Sequence, residues 1–172
     1  NFKKSLIIYY IFLCYVVFLQ HFFMFNFNKF NEINSFLKKT NKTAKIIAIS
    51  KNHSLESVLE AINHGVTIFG ENRVQEAKNK FSLLKQNNPK IELHLTGPLQ
   101  SNKVRSAIGL FDVFHTLDRE KIAIEFSKYR DLLVDKKIFL QINTGKEKSK
   151  SGIFPEDTQD FLYFLKKEMK LS

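Results

Sequence analysis

The chain has 172 residues, 44% of them hydrophobic and 26% charged, with a formal charge of +10. That length and balance exclude a disordered chain and predict one globular domain with a sizeable core. The charge would favour polyanions, but the basic residues are scattered in short pairs such as Lys38-Lys39 and Lys166-Lys167, so no specific nucleic-acid surface is expected.

Residues 6–19 carry no charge and follow Lys3 and Lys4, the pattern of a signal or membrane-anchoring segment. The run is shorter than the roughly 20 apolar residues that span a bilayer, and no small-residue cleavage site follows it. Met24 then opens a sequence of ordinary composition. Residues 1–23 are read either as the product of a misplaced start or as a membrane anchor, and residues 24–172 as the domain. Cys14 lies in that first segment and is the lone cysteine, so the chain holds neither a disulfide framework nor a cysteine-rich zinc site.

From residue 46 onward, short apolar runs alternate with amphipathic stretches, which predicts strand-helix units around a parallel sheet. The first strand is expected at 46–50. Its helix follows Ser54 as N-cap, carries Leu55, Val58, Leu59 and Ile62 on one face, and stops at Gly65. A second strand is expected at 66–69. Asn72 then suits an N-cap paired with Gln75 in a capping box, ahead of a helix with Val74, Ala77, Phe81 and Leu84 inward.

A third strand at 91–96 alternates, sending Leu93 and Leu95 one way and Glu92, His94 and Thr96 the other. Ser101 opens a helix through Val104, Ala107 and Ile108; a strand follows at 113–116; Asp118 caps a helix with Ile122, Phe126 and Tyr129 on one face. A fifth strand is expected at 138–142, and Pro155 begins a last helix bearing Phe161, Leu162, Phe164 and Leu165. The expected fold is α/β: a partial TIM (β/α)8 barrel with about five of the eight units of a closed barrel.

In such a barrel the chemistry gathers at the C-terminal ends of the strands, and Lys51 stands directly after the first one. A lysine amine attacks a carbonyl only as the neutral base, so it needs burial or a neighbouring cation. Asn72 sits where the second strand meets its helix, His94 points inward from the third as a lone histidine, and Gln141 and Asn143 aim two amides at the mouth from the fifth. Lys150 lies in a basic loop with Lys146 and Lys148. Each also has a plain structural reading: a solvated lysine, a helix cap, a core histidine, paired amides and a solvated loop.

The motifs recur in a fixed order: Lys51, then Phe69-Gly70-Glu71-Asn72-Arg73-Val74-Gln75-Glu76, His94-Leu95-Thr96-Gly97-Pro98-Leu99-Gln100-Ser101-Asn102-Lys103, Gln141-Ile142-Asn143-Thr144 and Lys150-Ser151-Gly152. Together they resemble the pyridoxal phosphate homeostasis proteins, whose barrel is similar to the N-terminal domain of alanine racemases. The resemblance implies pyridoxal 5'-phosphate as cofactor, held as a Schiff base on Lys51, with Asn72, His94, Gln141, Asn143 and Lys150 near it.

It also implies a cytoplasmic monomer that buffers the cofactor and delivers it to cofactor-dependent apo-enzymes without a catalytic turnover of its own. Where the family shows a second lysine, this chain has His53. The family's phosphate-binding segments belong to later units, so three further units are expected, and without them weak cofactor binding or none. The alternatives are a racemase-like enzyme acting on amino acids through the same cofactor, or a membrane-anchored protein using residues 1–23.

Overall fold

The computed structural model describes residues 25–40 and 43–171. The readings of residues 1–23 and of Met24 therefore fall outside the described residues. Among the described residues, helix α1 (Phe27–Thr40) precedes five strands and five further helices. The strands are β1 (Ala48–Ile49), β2 (Ile68–Glu71), β3 (Glu92–Leu95), β4 (Val113–Leu117) and β5 (Lys137–Leu140). Between and after them lie α2 (Leu55–Asn63), α3 (Val74–Asn87), α4 (Val104–Ile108), α5 (Glu120–Ser127) and α6 (Thr158–Tyr163). No described helix is long and apolar enough to cross a membrane.

The strands form one parallel sheet in the order β1-β2-β3-β4-β5. Sequential strands are neighbours, each joined by a helix, which is the winding of a barrel. Leu93, Leu95, Phe69 and Phe114 leave the sheet on its helix side and are almost wholly buried against Ala77, Phe81, Val104, Ala107, Ile122 and Phe126. Phe69 meets the Phe81 ring at 5.4 Å, and Phe114 meets Phe126 edge-on at 5.1 Å. Each such side chain is worth about 1.5–3 kcal/mol on burial, so this layer carries the fold.

Local signals held where the chemistry is local. Ser54 Oγ accepts from the Ser57 N–H at 3.3 Å, Gly65 closes α2 at φ +85°, and Pro155 begins the short 3-10 turn Pro155–Asp157 ahead of α6. The second strand starts two residues later than expected. The Val66 N–H is spent on Ala61 O at the end of α2, at 3.0 Å, so ladder pairing begins at Ile68.

Two expected caps are corrected. Arg73, not Asn72, is the N-cap of α3, and Gln75 donates to Asn79 Oδ1 at 3.1 Å instead of closing a capping box. Arg119, not Asp118, is the N-cap of α5, and Asp118 pairs with the Arg119 guanidinium. Ser101 opens a 3-10 turn, Ser101–Lys103, before α4.

Candidate functional site

β1 is short, and the backbone leaves it through Ser50, whose N–H still bonds Gly70 O at 2.9 Å. The His53 N–H turns back to Ser50 O at 3.1 Å, so residues 50–53 make a tight turn with Lys51, half-buried, inside it. Ile49 pairs with Gly70, so Lys51 and Asn72 each lie two residues beyond the last paired position of neighbouring parallel strands.

Freed from capping, Asn72 turns against the β3–α4 loop. A Cβ on Gly97 would lie 2.3 Å from Asn72 O and 2.8 Å from its Cβ, so glycine alone permits that approach. The loop is fixed in turn, with Thr116 Oγ1 donating to Gly97 O at 2.7 Å and Arg119 to Leu99 O at 2.7 Å. Asn72 Oδ1 ends up buried with no hydrogen-bond partner among the described residues. A buried acceptor left unpaired costs about 1–3 kcal/mol, which marks the end of β2 as a place where something else can bind.

On the face of the sheet opposite the helices, His94 is not alone. Its Nε2 lies 2.7 Å from Glu92 Oε1, and its Nδ1 lies 2.8 Å from His115 Nε2 on β4. Burial lowers the pKa of both rings: His94 falls against the pull of Glu92, and His115, with His94 beside it, falls to about 4. Neutral rings fix the hydrogen bonds: His94 Nε2–H donates to Glu92, so His94 Nδ1 accepts from His115 Nε2–H. Partial burial raises the Glu92 carboxyl, but His94 outweighs it and holds it below the ordinary value.

At the far rim, Gln141 Nε2 donates to Ser151 O at 3.1 Å. Asn143, buried, donates through Nδ2 to Glu147 O at 2.8 Å and Lys150 O at 3.2 Å. Both amides therefore spend their donors on the loop 144–151. Lys150 itself is exposed and pairs with Glu147 at 2.6 Å. Lys51 and Asn72 thus follow the ends of β1 and β2 and His94 lies within β3, while Gln141, Asn143 and Lys150 follow β5. His53 is exposed, and its carbonyl accepts from Lys80 at 3.2 Å.

Against known proteins, the model of the alanine racemase N-terminal domain family matches residues 28–172. The chain belongs to that family. It is 40% identical over 121 residues to the pyridoxal phosphate homeostasis protein of Vibrio cholerae, covering 69% of this chain and 51% of that one. It is 43% identical over 126 residues to the protein of the same name from Buchnera aphidicola, covering 71% and 55%. The chain thus spans about half the length of the curated relatives it matches.

Among solved structures, Synechococcus elongatus PipY without pyridoxal phosphate superposes with a TM-score of 0.69 at 34% identity, over 78% of this chain and 63% of that one. The same protein with pyridoxal phosphate bound gives 0.67 at 31% identity, over 80% and 63%. The alanine racemase-like α/β fold expected from the motifs is the fold of this family member.

Two residues escaped the sequence reading. His115 joins His94 only because β4 lies beside β3. Lys80 did leave a signal: it sits with Ala77, Phe81 and Leu84 on the apolar stripe of α3, where a lysine must be paired. Among the described residues, no cluster of histidine, cysteine or carboxylate side chains suits a metal ion.

Proposed function

We propose that this chain binds pyridoxal 5'-phosphate at the C-terminal end of its sheet, attached through the Lys51 amine, and holds it for reversible release rather than turnover. One observation carries this reading: the half-buried Lys51 follows the strand paired with β2, and the residue after β2, Asn72, has a buried Oδ1 without a partner among the described residues. The relatives named for pyridoxal phosphate homeostasis, and PipY solved with pyridoxal phosphate, support the choice of cofactor.

When bound, the cofactor supplies an aldehyde carbon open to an amine and an aromatic ring with polar substituents. Lys51 is the nucleophile, and the tight turn around it limits where its amine can reach. Asn72 Oδ1 accepts a hydrogen bond from a ring donor, which would satisfy the orphaned atom. Gly97 keeps the wall beside Asn72 free of a side chain. His94, neutral and tied to Glu92, holds a proton at Nε2 on the inward face of the sheet. The proposed recipients are apo-enzymes that need the same cofactor.

The test is absorbance of the full chain after adding pyridoxal phosphate, followed by borohydride reduction and peptide mapping. The expected result is a visible band and a reduced adduct on Lys51, both lost in Lys51→Ala and kept in Lys128→Ala, a lysine exposed on the outside of the fold. An adduct of equal yield in Lys51→Ala, or none in the wild type, would overturn the reading.

A further inference from the structure

We infer that α3 and the end of β2 carry a clamp, built from Lys80 and Glu76 with Glu71, that positions Lys51 by holding the backbone on both sides of it. The inference rests on the role of Lys51 proposed above. Lys80 Nζ, on a side chain 8% exposed, lies 2.6 Å from Ser50 O and 3.2 Å from His53 O, the carbonyls that bracket Lys51 in the chain. It also lies 2.6 Å from Glu71 Oε1 and 2.9 Å from Glu76 Oε1. Four oxygens share the three protons of one ammonium group, which no neutral side chain could serve.

The carboxylates extend the grip. Glu76 Oε1 accepts the Asn52 N–H at 2.6 Å, stabilising a residue held at φ +61°. Glu71 Oε1 accepts from Ser50 Oγ at 2.7 Å, tying the turn to the end of β2. Residues 50, 52 and 53 are therefore each fixed by a side chain from β2 or α3, which leaves the half-buried Lys51 as the residue of the turn that the clamp does not itself hold. A buried ion pair is weak evidence for stability, because apolar side chains of similar volume often serve as well. Apolar groups would hold neither the two carbonyls nor the Asn52 N–H, so the choice of charge here points to geometry.

Two variants separate geometry from folding. Glu76 is a quarter exposed, so Glu76→Ala loosens Asn52 while leaving Lys80 paired with Glu71. The double variant Lys80→Met/Glu71→Gln releases the carbonyls without leaving a buried lone charge. Three readouts apply: thermal unfolding, amide hydrogen exchange at residues 50–53, and two cofactor measurements. The latter are the rate of borohydride-trapped capture at Lys51 and the affinity for pyridoxine 5'-phosphate, which lacks the aldehyde.

The expected result is faster exchange at Asn52 in Glu76→Ala and at His53 in the double variant, and capture slowed about tenfold or more in both, with affinity for the aldehyde-free analogue unchanged. Capture at the wild-type rate in a folded variant whose residues 50–53 exchange faster would overturn the clamp. So would unchanged exchange in both variants. If the wild type itself shows no capture, the proposed function fails, and the exchange data still decide whether α3 holds the turn.

Discussion

At the ends of β1 to β3, buried polar side chains grip the backbone of neighbouring elements, whereas at the end of β5 they are spent inside their own loop. Lys80 and Glu71, 8% and 0% exposed, reach from α3 and β2 to the turn after β1. Asn143 and Gln141 reach only to residues 147, 150 and 151 of the segment that follows them. The first arrangement fixes one region against another; the second closes a loop on itself. A long-range buried network fixes where a side chain such as Lys51 can act, and a self-contained loop need serve only its own shape.

The comparison breaks most severely at Lys80. Lys80→Met leaves Glu71 buried beside Ser50 without its cation. Burial already raises the Glu71 carboxyl against the pull of Lys80 and Ser50, and Oε2 has no partner among the described residues. Removing one member of such a pair costs roughly 3–5 kcal/mol. Chemical denaturation should show that loss, and Glu71→Gln in the same chain should recover part of it, because a neutral amide is cheaper to bury. A loss below about 1 kcal/mol would put the network on a par with a surface pair.

The order of elements, the alternation of β3, the Ser54 cap and the Pro155 start were legible because each depends on residues close in sequence. The caps assigned to Asn72 and Asp118 failed for a physical reason. N-cap preference reflects a side-chain type, but capping also needs the right backbone position, and Asn72 is drawn instead against Gly97 from another unit. Lys80 went unread although it left a signal as a misfit on an apolar stripe, while its pairing with Glu71 left none, since β2 meets α3 only in three dimensions. His94 was legible as an inward histidine, but its neighbour His115 depends on the pairing of β3 with β4.

The paired histidines of β3 and β4 lie between the two regions and respond to pH. His115 is pushed from 6.5 to about 4, and burial lowers His94 as well. Above 6.5 both rings are neutral whether folded or unfolded. Below it the unfolded chain takes up protons that the fold refuses, so stability falls as pH drops from 6.5 towards 4. Glu92 and Asp112, both held below their ordinary values of 4.5 and 3.8, lose their contribution only as pH falls below those values. His115→Gln keeps a donor for His94 Nδ1 and removes one titration. Its unfolding free energy should fall on the order of 2 kcal/mol less than that of the wild type between pH 6.5 and 4.

The smallest effect belongs to the far rim. The Lys150 side chain is 65% exposed, and its partner Glu147 is 51% exposed and three residues away in the same loop. Solvent screens such a pair, and ordering two long side chains offsets most of the attraction, so Lys150→Ala should change stability by less than about 0.5 kcal/mol. The loop should keep its shape, because Asn143 holds it through the carbonyls of Glu147 and Lys150, and a substitution leaves the Lys150 carbonyl in place. Capture at Lys51 should then proceed at the wild-type rate. A fall in cofactor affinity that added salt produces in the wild type and that Lys150→Ala reproduces would move this lysine into the site. The two rims would then act on one ligand, the Lys51 side by fixed geometry and the Lys150 side by screened charge.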